Sequence, residues 1–462
     1  MAALPDGFLA ALAARAPDLE LKLDPADRWP YGSDNSRRHA LPGGVAFPRD
    51  HPQCATLVGL CAAWRVPLTA RGRGTATTGA AVPLAGGLVL STERMDRVLE
   101  VAPADRLMVV EAGCLNGTVQ ARAAEHGLFW PPDPTSAAYS TVGGNVATNA
   151  GGPRSVKYGT TRDCVLGLRA VTGAGVELRT GVRTTKGVVG YDLTRLLCGA
   201  EGTLAVVTEV TLELQPLPAA TRTLRASYAD VGAAARAVAA LMCQPVVPCR
   251  LEFLDSAALA LLRDQAPDAA LPAAAGALLL VEVDGSQQLL DEAVAAVSAA
   301  ARVAGLLELR AAADTLESQA LWAVRKSLSP ALRSVAPGKI NEDVVVPVSR
   351  LAALVEGLER LARQHAVRIV NFGHAGNGNL HVNLLFDPAD AAQLAAAQRC
   401  LREVFALVLE LGGTLSGEHG VGTEKQPFVG LELDATQLAL MRTLKQVFDP
   451  QSILNPDKLF PR

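Results

Sequence analysis

The sequence STVGGNVATNAGG occupies residues 140–152 and carries small side chains over most of its length. Its four glycines are Gly143, Gly144, Gly151 and Gly152. An ordinary tight turn needs only one or two glycines, since few backbone positions in it require a positive φ. The pattern therefore favours the close approach of a large flat ligand to the backbone. A pair of tight turns is the alternative interpretation.

A second glycine-rich stretch, PLTARGRGTATTG at residues 67–79, follows a short apolar run that predicts a strand. Consecutive backbone N–H groups beside Arg71 and Arg73 form a nest that suits a diphosphate. The glycine spacing differs from the G-x-G-x-x-G dinucleotide fingerprint. Ala80 and Ala81 stand where a Walker loop needs Lys and then Ser or Thr, so that class of phosphate site is excluded.

The first of two histidine clusters, HAGNGNLHVN, begins at His374 and joins two apolar runs. The pattern predicts a strand, a tight loop and a second strand. On the second strand the period of two places His381 and Asn383 on the same face, and the loop allows His374 to turn back towards them.

The second cluster, SGEHGVG at residues 416–422, exposes Glu418 and His419 between glycines. Two imidazoles and a carboxylate suit a zinc-like ion with a position left open for a substrate. The alternative is that each histidine is a satisfied turn or core residue.

Composition excludes several classes of protein. The chain of 462 residues predicts two or three domains, and its net charge of -3 without a basic stripe argues against nucleic acid. No apolar run approaches the roughly 18 residues of a membrane span, and no basic segment precedes an apolar run at the start. We therefore expect a cytoplasmic protein, with peripheral attachment to a membrane left open. The eight cysteines include no C-x-x-C pair, and Cys243 and Cys249 are interpreted as small core residues.

The fold class predicted from the pattern is α+β. A helical arm is expected over residues 1–40, with its helix at residues 8–16. Short strands and glycine-rich turns alternate over 41–218, where prolines mark a boundary. Strand–helix halves over 219–412 fit a ferredoxin-like antiparallel sheet, and a final segment covers 413–462.

Eight short motifs occur in order, at residues 71–79, 132–135, 143–152, 158–159, 201–204, 373–381, 417–422 and 455–458. Together they resemble the FAD-linked 2-hydroxy-acid dehydrogenases, a family of vanillyl-alcohol-oxidase-type flavoproteins. That family includes D-lactate dehydrogenase, D-2-hydroxyglutarate dehydrogenase and the large glycolate oxidase subunit. The resemblance implies a two-part FAD-binding domain over 41–218, a cap domain over 219–412, and a C-terminal segment over 413–462 that returns to the FAD domain.

The resemblance also implies roles for individual residues. Expected to bind FAD are Arg71, Gly72, Arg73, Gly74, Thr75, Thr78, Gly79, Pro132, Pro134, Thr135, Gly143, Gly144, Thr148, Gly151, Gly152, Tyr158, Glu201, Gly202 and Asn455. Expected to bind a divalent metal, with zinc favoured, are His374, His381 and Glu418. Expected to bind the substrate are Arg325, Ser329, Lys339 and Asn383. His419 is expected to act as the general base. The stretch 71–79 contains no His or Cys, so we expect the FAD to be non-covalent.

Asn341 bears on the substrate. In hydroxyglutarate-specific relatives a Lys lies two residues before the Asp that aligns with Asp343, and here that position is Asn341. The resemblance therefore favours D-lactate, oxidised to pyruvate, over D-2-hydroxyglutarate and then glycolate. With no second cofactor motif, the electron acceptor is expected to be a separate quinone, cytochrome or electron-transfer flavoprotein. A homodimer is compatible with the sequence.

Two other classes of function remain open at this stage. A metallohydrolase would use only the histidine clusters and would leave the glycine-rich half unexplained. A non-catalytic nucleotide-binding protein would use only the glycine-rich half. The colour of the purified protein discriminates between the flavoprotein and the metallohydrolase, because a flavin makes the protein yellow.

Overall fold

Runs of valine and leucine between glycine-rich turns form the strands of the first half of the chain, as their β propensity predicts. The computed structural model describes residues 4–265 and 271–461. Within them the chain divides into two units. The first comprises residues 4–151, 159–217 and 418–461, and the second comprises 152–158 and 218–417 without 266–270.

The first unit contains two main sheets. Its strands are β1 (Glu20–Lys22), β2 (Gly44–Phe47), β3 (Leu68–Arg71), β4 (Leu88–Ser91), β5 (Val98–Ala102), β6 (Leu107–Glu111), β7 (Leu128–Phe129), β8 (Val165–Thr172), β9 (Glu177–Gly181), β10 (Ala205–Glu213) and β11 (Gln215–Pro216). One sheet has the order β1-β2-β4-β3, and β4 is parallel to both β2 and β3. The other has the order β5-β6-β10-β8-β9 and is antiparallel throughout. The predicted α+β class is confirmed.

Helices cover these sheets. They are α1 (Phe8–Arg15), α2 (Pro25–Arg28), α3 (His51–Trp64), α4 (Asn116–Ala124), α5 (Val142–Thr148), α7 (Leu193–Leu197), α14 (Val429–Glu432) and α15 (Ala435–Phe448). The predicted N-terminal arm is more integrated than the sequence suggested. Phe8 and Leu12, one helical turn apart, are fully buried in the core around α3, and β1 extends the first sheet.

The second unit is built on one seven-stranded antiparallel sheet of order β15-β12-β14-β13-β17-β18-β16. The strands are β12 (Ala220–Tyr228), β13 (Arg250–Asp255), β14 (Ala277–Gly285), β15 (Leu306–Ala311), β16 (Gly338–Val345), β17 (Arg368–His374) and β18 (Asn379–Phe386). The helices are α6 (Ser155–Tyr158), α8 (Val231–Met242), α9 (Ser256–Gln265), α10 (Leu290–Ala301), α11 (Thr315–Val335), α12 (Leu351–His365) and α13 (Ala391–Glu410). Leucines and Trp322 from α9, α11 and the sheet form one apolar core.

Two details differ from the sequence analysis. His374 is the last residue of β17 and does not lie in the loop. It is therefore the strand register that brings His374 towards His381, and the loop does not turn back. Cys243 is exposed, because it caps the end of α8 and does not enter the core, whereas Cys249 is buried as expected. Among the described residues no helix is long and apolar enough to cross a membrane.

We predict that Trp130 is a main source of stability in the first unit. Its side chain is fully buried in the core beneath α5, and its indole N–H donates to the carbonyl of Cys164 at 3.2 Å. Trp130→Ala should cost about 3–5 kcal/mol and lower the melting temperature measured by calorimetry. The matched control Trp29→Ala removes a 61% exposed ring and should change stability by about 0.5 kcal/mol or less. Equal melting temperatures for the two variants would contradict this prediction.

Candidate active site

The two glycine-rich stretches meet in the first unit. A Cβ added to Gly72 would lie 2.3 Å from the hydroxyl oxygen of Thr141, and one added to Gly143 would lie 2.8 Å from the carbonyl oxygen of Ala112. Thr141 also caps α5, because its hydroxyl accepts the N–H of Gly144 at 3.1 Å. Gly72 therefore allows the loop after β3 to pack against the start of α5, and Gly143 allows α5 to approach the segment after β6.

Two polar side chains beside this junction lack hydrogen-bond partners. Ser140 and Asn145 are buried, and neither the Ser140 hydroxyl nor the Asn145 amide nitrogen has a partner among the described residues. An unpaired buried polar group costs about 1–3 kcal/mol, so such groups indicate a missing ligand or water. The stretch 140–152 thus fits a cofactor that offers hydrogen-bond acceptors and donors close to the backbone.

The two arginines of the first loop have different positions. Arg71 is buried and donates to the carbonyl of Ser33 at 2.6 Å and to that of Pro30 at 3.3 Å. Arg73 is exposed and lies 3.4 Å from the carboxylate of Glu93. Arg71 therefore holds the N-terminal arm, and a role for either guanidinium in binding a diphosphate stays a prediction.

Glu201 fixes the loop that contains His419. Its buried carboxylate accepts the N–H of Val421 at 2.6 Å and that of Gly422 at 2.8 Å. Burial raises the pKa of Glu201, while the two N–H donors act to lower it. The sequence motif around Glu201 thus has a structural use that the prediction of FAD binding did not include.

The same loop is tied to the first glycine-rich stretch. The hydroxyl of Thr78 donates to the carbonyl of His419 at 3.3 Å, and the carbonyl of Thr78 accepts the N–H of Thr423 at 2.9 Å. A Cβ on Gly79 would lie 2.4 Å from the hydroxyl of Thr423. The structure therefore brings together the loop predicted to hold FAD and the residue predicted to be the base.

The C-terminal tail closes this region. The side-chain amide of Asn455 donates to the carbonyls of Ala80 and Glu201, at 2.9 and 2.8 Å. Lys458 donates to the carbonyl of Val82 at 2.5 Å and to Asn455 at 3.2 Å. Asn455 thus links the C-terminal tail to the end of the first glycine-rich stretch and to Glu201.

The remaining residues predicted to bind FAD lie in several segments. The carbonyl of Pro132 accepts the side-chain amide of Asn116 at 3.0 Å, and that of Pro134 accepts the N–H of Ala137 at 2.8 Å. Thr135 is exposed in the turn that precedes Ser140. The Thr148 hydroxyl donates to the carbonyl of Gly144 at 3.3 Å. Gly74, Gly152 and Gly202 have positive φ, as has Glu201. Thr75 and Gly151 lie in the two glycine-rich stretches themselves.

Tyr158 belongs to the second unit. Its hydroxyl donates to the carboxylate of Asp284 at 2.7 Å, and burial together with that carboxylate raises the pKa of the phenol. Lys157 pairs with the same carboxylate. A role for Tyr158 in binding FAD stays a prediction.

In the second unit the strand register gathers the candidate metal and substrate residues on one face. His381 lies opposite Phe372 on β17 and Asp343 on β16, and Asn383 lies opposite Asn341. Residues directly opposite each other in an antiparallel pair share a face. The rings of His374 and His381 are edge to face with centroids 5.2 Å apart. The predicted common face of His381 and Asn383 is confirmed by the strand register.

Glu252 lies on the same face and contacts two of these residues. It is fully buried opposite His374, and its carboxylate accepts from His374 Nδ1. It also accepts from Arg325 Nε at 2.8 Å and from Nη2 at 2.6 Å. Burial acts to raise the pKa of Glu252, but His374 and Arg325 outweigh burial and hold that pKa below its ordinary value. Arg325 is therefore a half-buried residue of α11 that is paired with Glu252.

Asp343 anchors the start of the second cluster. Its buried carboxylate accepts the N–H of Gly417 at 3.0 Å and the amide of Asn379 at 2.6 Å, and it lies 4.0 Å from His381 Nδ1. Gly417 immediately precedes Glu418 in the chain. The backbone that leads to the predicted third ligand is thus held next to a carboxylate that faces His381.

The other residues predicted to bind substrate differ in exposure. Asn383 is fully buried, donates to the carbonyls of Val370 and His381, and accepts from Asn341 at 3.3 Å. Lys339 lies on β16 two residues before Asn341, hence on the same face. Ser329 is exposed on α11. Substrate binding by Asn383, Lys339 and Ser329 stays a prediction.

Sequence reasoning did not identify Glu252 as a functional residue. The signal was an acidic residue inside the apolar strand LEFL at residues 251–254. A carboxylate at such a position is rarely buried without a partner. Its partners lie far along the chain, so the sequence pattern alone did not reveal them.

Comparison with known proteins finds a match for each half of the chain. The sequence profile for the FAD binding domain matches residues 42–181, and that for the C-terminal domain of FAD linked oxidases matches residues 217–459. Glycolate oxidase subunit GlcD of Bacillus subtilis is 37% identical over 438 residues, which cover 95% of this chain and 93% of that protein. D-lactate dehydrogenase of Anaerostipes hadrus is 32% identical over 414 residues, covering 88% of this chain and 87% of that protein.

A solved structure supports the same fold. The structure of p-cresol methylhydroxylase with bound substrate superposes with a TM-score of 0.79 at 16% identity, covering 98% of this chain and 97% of that one. At this identity the likeness shows a shared fold and nothing more specific.

We predict a pH-dependent contribution from Lys458. Burial lowers its pKa to about 8 in the folded protein, against about 10.4 in an unfolded chain. Between these values the unfolded chain binds more protons, so stability rises as the pH increases through this window. The melting temperature should therefore increase more, or decrease less, between about pH 7.5 and about pH 10 in the wild type than in Lys458→Met.

The exposed Lys326→Met is the matched control and should retain the wild-type dependence. The same pH dependence in Lys458→Met and in the wild type would contradict the prediction.

Proposed function

The chain belongs to the FAD-linked oxidase family, and on that premise we propose that it oxidises a short D-2-hydroxy acid, with D-lactate favoured, to the 2-oxo acid. The reaction would pass a hydride from the substrate to FAD with the assistance of a divalent metal. The observation that carries this proposal is the shared sheet face of His374, His381, Asn383 and the Glu252–Arg325 pair.

The donor set on this face fits a divalent ion. The Nδ1 atom of His374 faces Glu252, so Nε2 would be its ligand atom, and the ring centroids of His374 and His381 are 5.2 Å apart. Glu418 would be the third ligand, since Asp343 holds the preceding peptide. Histidine and carboxylate donors with an open position suit zinc. When bound, such an ion would polarise the substrate hydroxyl.

Arg325 would hold a substrate carboxylate. One edge of its guanidinium is paired with Glu252, and the remaining N–H groups on Nη1 offer the planar geometry that a carboxylate matches. Positioning of both ends of a small hydroxy acid is a large part of catalysis, because the hydrogen on the reacting carbon must point at its acceptor.

His419 would be the general base that removes the hydroxyl proton. Support comes from the bond between its carbonyl and Thr78 and from the anchoring of the next residues to Glu201, which hold its backbone beside the glycine-rich loop. FAD supplies the hydride acceptor of the reaction.

Asn341 bears on the size of the substrate. Asn341 stands where a Lys would meet the distal carboxylate of a dicarboxylate substrate, and its neutral amide donates to Asn383 at 3.3 Å. Lys339 is one pleat further along the same face. This favours a monocarboxylate such as D-lactate. D-2-hydroxyglutarate is the runner-up, and glycolate follows with support from the similarity to a glycolate oxidase subunit.

FAD is proposed to be non-covalent, with a separate quinone, cytochrome or electron-transfer flavoprotein as the electron acceptor. Two cysteines of the first unit, Cys114 and Cys164, are the candidates for a covalent tether. Both are buried, and burial raises the pKa of each thiol to about 12. Such thiols are poor nucleophiles. We further propose a cytoplasmic location, with peripheral membrane attachment and a homodimer compatible with this function.

We predict that His419→Ala loses about 10²–10⁴-fold in kcat for D-lactate and keeps its FAD, because a positioned base contributes about that much. The readouts are turnover with an artificial acceptor and the flavin-to-protein absorbance ratio. The matched control His126→Ala changes an exposed histidine of the same unit and should be unaffected. Turnover of His419→Ala within threefold of the wild type would assign the base elsewhere.

A substrate panel tests the proposal as a whole. We expect kcat/KM for D-lactate to exceed that for L-lactate, glycolate and D-2-hydroxyglutarate, because the site provides for one carboxylate. A clear preference for the dicarboxylate would overturn the proposed substrate. A colourless protein that hydrolyses esters or amides would overturn the flavin reaction and support the metallohydrolase.

A further inference from the structure

We propose that Glu252 is a positioning residue that couples the metal ligand His374 to the substrate arginine Arg325. This inference rests on the proposed function and adds a residue that acts through its two neighbours. Glu252 is fully buried, and each of its carboxylate oxygens has a different task. Oε1 contacts His374 and Oε2 contacts Arg325.

The first contact determines which ring nitrogen of His374 is available. Because Glu252 carries a carboxylate that can only accept, His374 Nδ1 must carry the hydrogen. In the neutral ring the lone pair is then on Nε2, which is the atom that would bind the metal. Carboxylates that orient metal-binding histidines in this way typically change metal affinity by about 10–100-fold when they are removed.

The second contact determines the direction of the guanidinium. Oε2 receives both Nε–H and Nη2–H of Arg325, at 2.8 and 2.6 Å, so one complete edge of the guanidinium is occupied. The aromatic ring of Phe372 lies 4.7 Å from the guanidinium carbon. Arg325 is thus held between a carboxylate and a ring, with the Nη1 side directed away from Glu252.

The position of Glu252 in the sheet makes both contacts possible at once. It lies opposite His374 in the β13–β17 pair, and Leu254 lies opposite Phe372 one step along the same face. Arg325 comes from α11, which packs on this face through Trp322 and Leu328. A single carboxylate therefore fixes the distance between a ligand from a strand and a carboxylate binder from a helix.

A purely structural role is the competing explanation, since a buried ion pair also holds α11 on the sheet. The two roles differ in what they affect. Loss of a structural pair would lower the melting temperature and leave the properties of the folded enzyme unchanged. Loss of a positioning residue would change zinc affinity and KM in protein that is still folded and still yellow.

The test uses the FAD-loaded full chain with Glu252→Gln, which keeps the shape and removes the charge. Glu282→Gln is the matched control, because Glu282 is also a buried carboxylate of this sheet face and is paired with Arg250 and Trp322. Zinc affinity is measured by competition with a chromogenic chelator, and kcat and KM for D-lactate are measured at saturating zinc. Isotope-edited NMR of the histidine ring nitrogens reports the protonated nitrogen of His374.

We expect Glu252→Gln to bind zinc about 10–100-fold more weakly. At saturating zinc its KM should remain raised by about 10-fold or more, because Arg325 has lost its direction independently of the metal. The control should stay within twofold of the wild type in both measurements. Glu252→Asp, which keeps the charge but withdraws the oxygens by about 1.5 Å, should show both defects and serves if the Gln variant does not fold.

The possible outcomes distinguish failure of the role proposed for Glu252 from failure of the proposed metal centre. Wild-type zinc affinity and KM in a folded Glu252→Gln would overturn the role of Glu252 and leave the proposed function intact. A wild-type protein that takes up no zinc would contradict the proposed metal centre and this inference together. Equal defects in the Glu252 and Glu282 variants would also overturn the inference, because the effect would then belong to any buried carboxylate of this face.

Discussion

The pairing of buried carboxylates is the interaction on which the rest of this structure depends. An unpaired charge in a protein interior costs several kcal/mol, so a buried glutamate requires partners that are placed accurately. Glu252 obtains them from β17 and α11, which lie far apart in the sequence. The register of the sheet and the seat of α11 therefore cannot shift without exposing or isolating a charge.

Glu201 follows the same logic in the first unit with backbone donors. Its carboxylate receives two consecutive N–H groups from the loop after His419, and its backbone carbonyl receives the amide of Asn455. The C-terminal segment is thereby attached to the glycine-rich stretches, although more than 200 residues separate them in the chain. In each unit one buried glutamate holds a histidine-bearing segment beside the elements that would receive the cofactor or the metal.

Local patterns predicted much of the fold. The apolar runs before and after HAGNGN predicted the strands β17 and β18, and the period of two predicted the common face of His381 and Asn383. The predicted position of His374 in the loop was wrong. The glycines and asparagines suggested that the loop begins before His374, whereas the strand continues to that residue. The prediction that Cys243 lies in the core was wrong as well, because the end of a helix and its buried part have the same composition in this alanine-rich segment.

What the sequence could not supply were the partners of buried charge. The strand LEFL predicts β13, but the side of the sheet on which Glu252 lies and the residues opposite it depend on the pairing of distant strands. Arg71 illustrates the reverse case. Its motif indicated a nest for phosphate, which stays a prediction, and did not indicate that its donors also satisfy the carbonyls of Pro30 and Ser33. The identity of a loop is visible in a sequence, while the direction of each side chain follows from packing.

In the proposed reaction a hydride passes from a hydroxy acid to FAD. The most direct measurement is anaerobic stopped-flow mixing of the purified protein with D-lactate and with D-lactate deuterated at C2, recorded by the absorbance of oxidised flavin. The account predicts complete loss of that absorbance and a slower loss with the deuterated substrate, because the C2–H bond breaks as the flavin is reduced. A flavin that stays oxidised with D-lactate, glycolate and D-2-hydroxyglutarate alike would contradict the account.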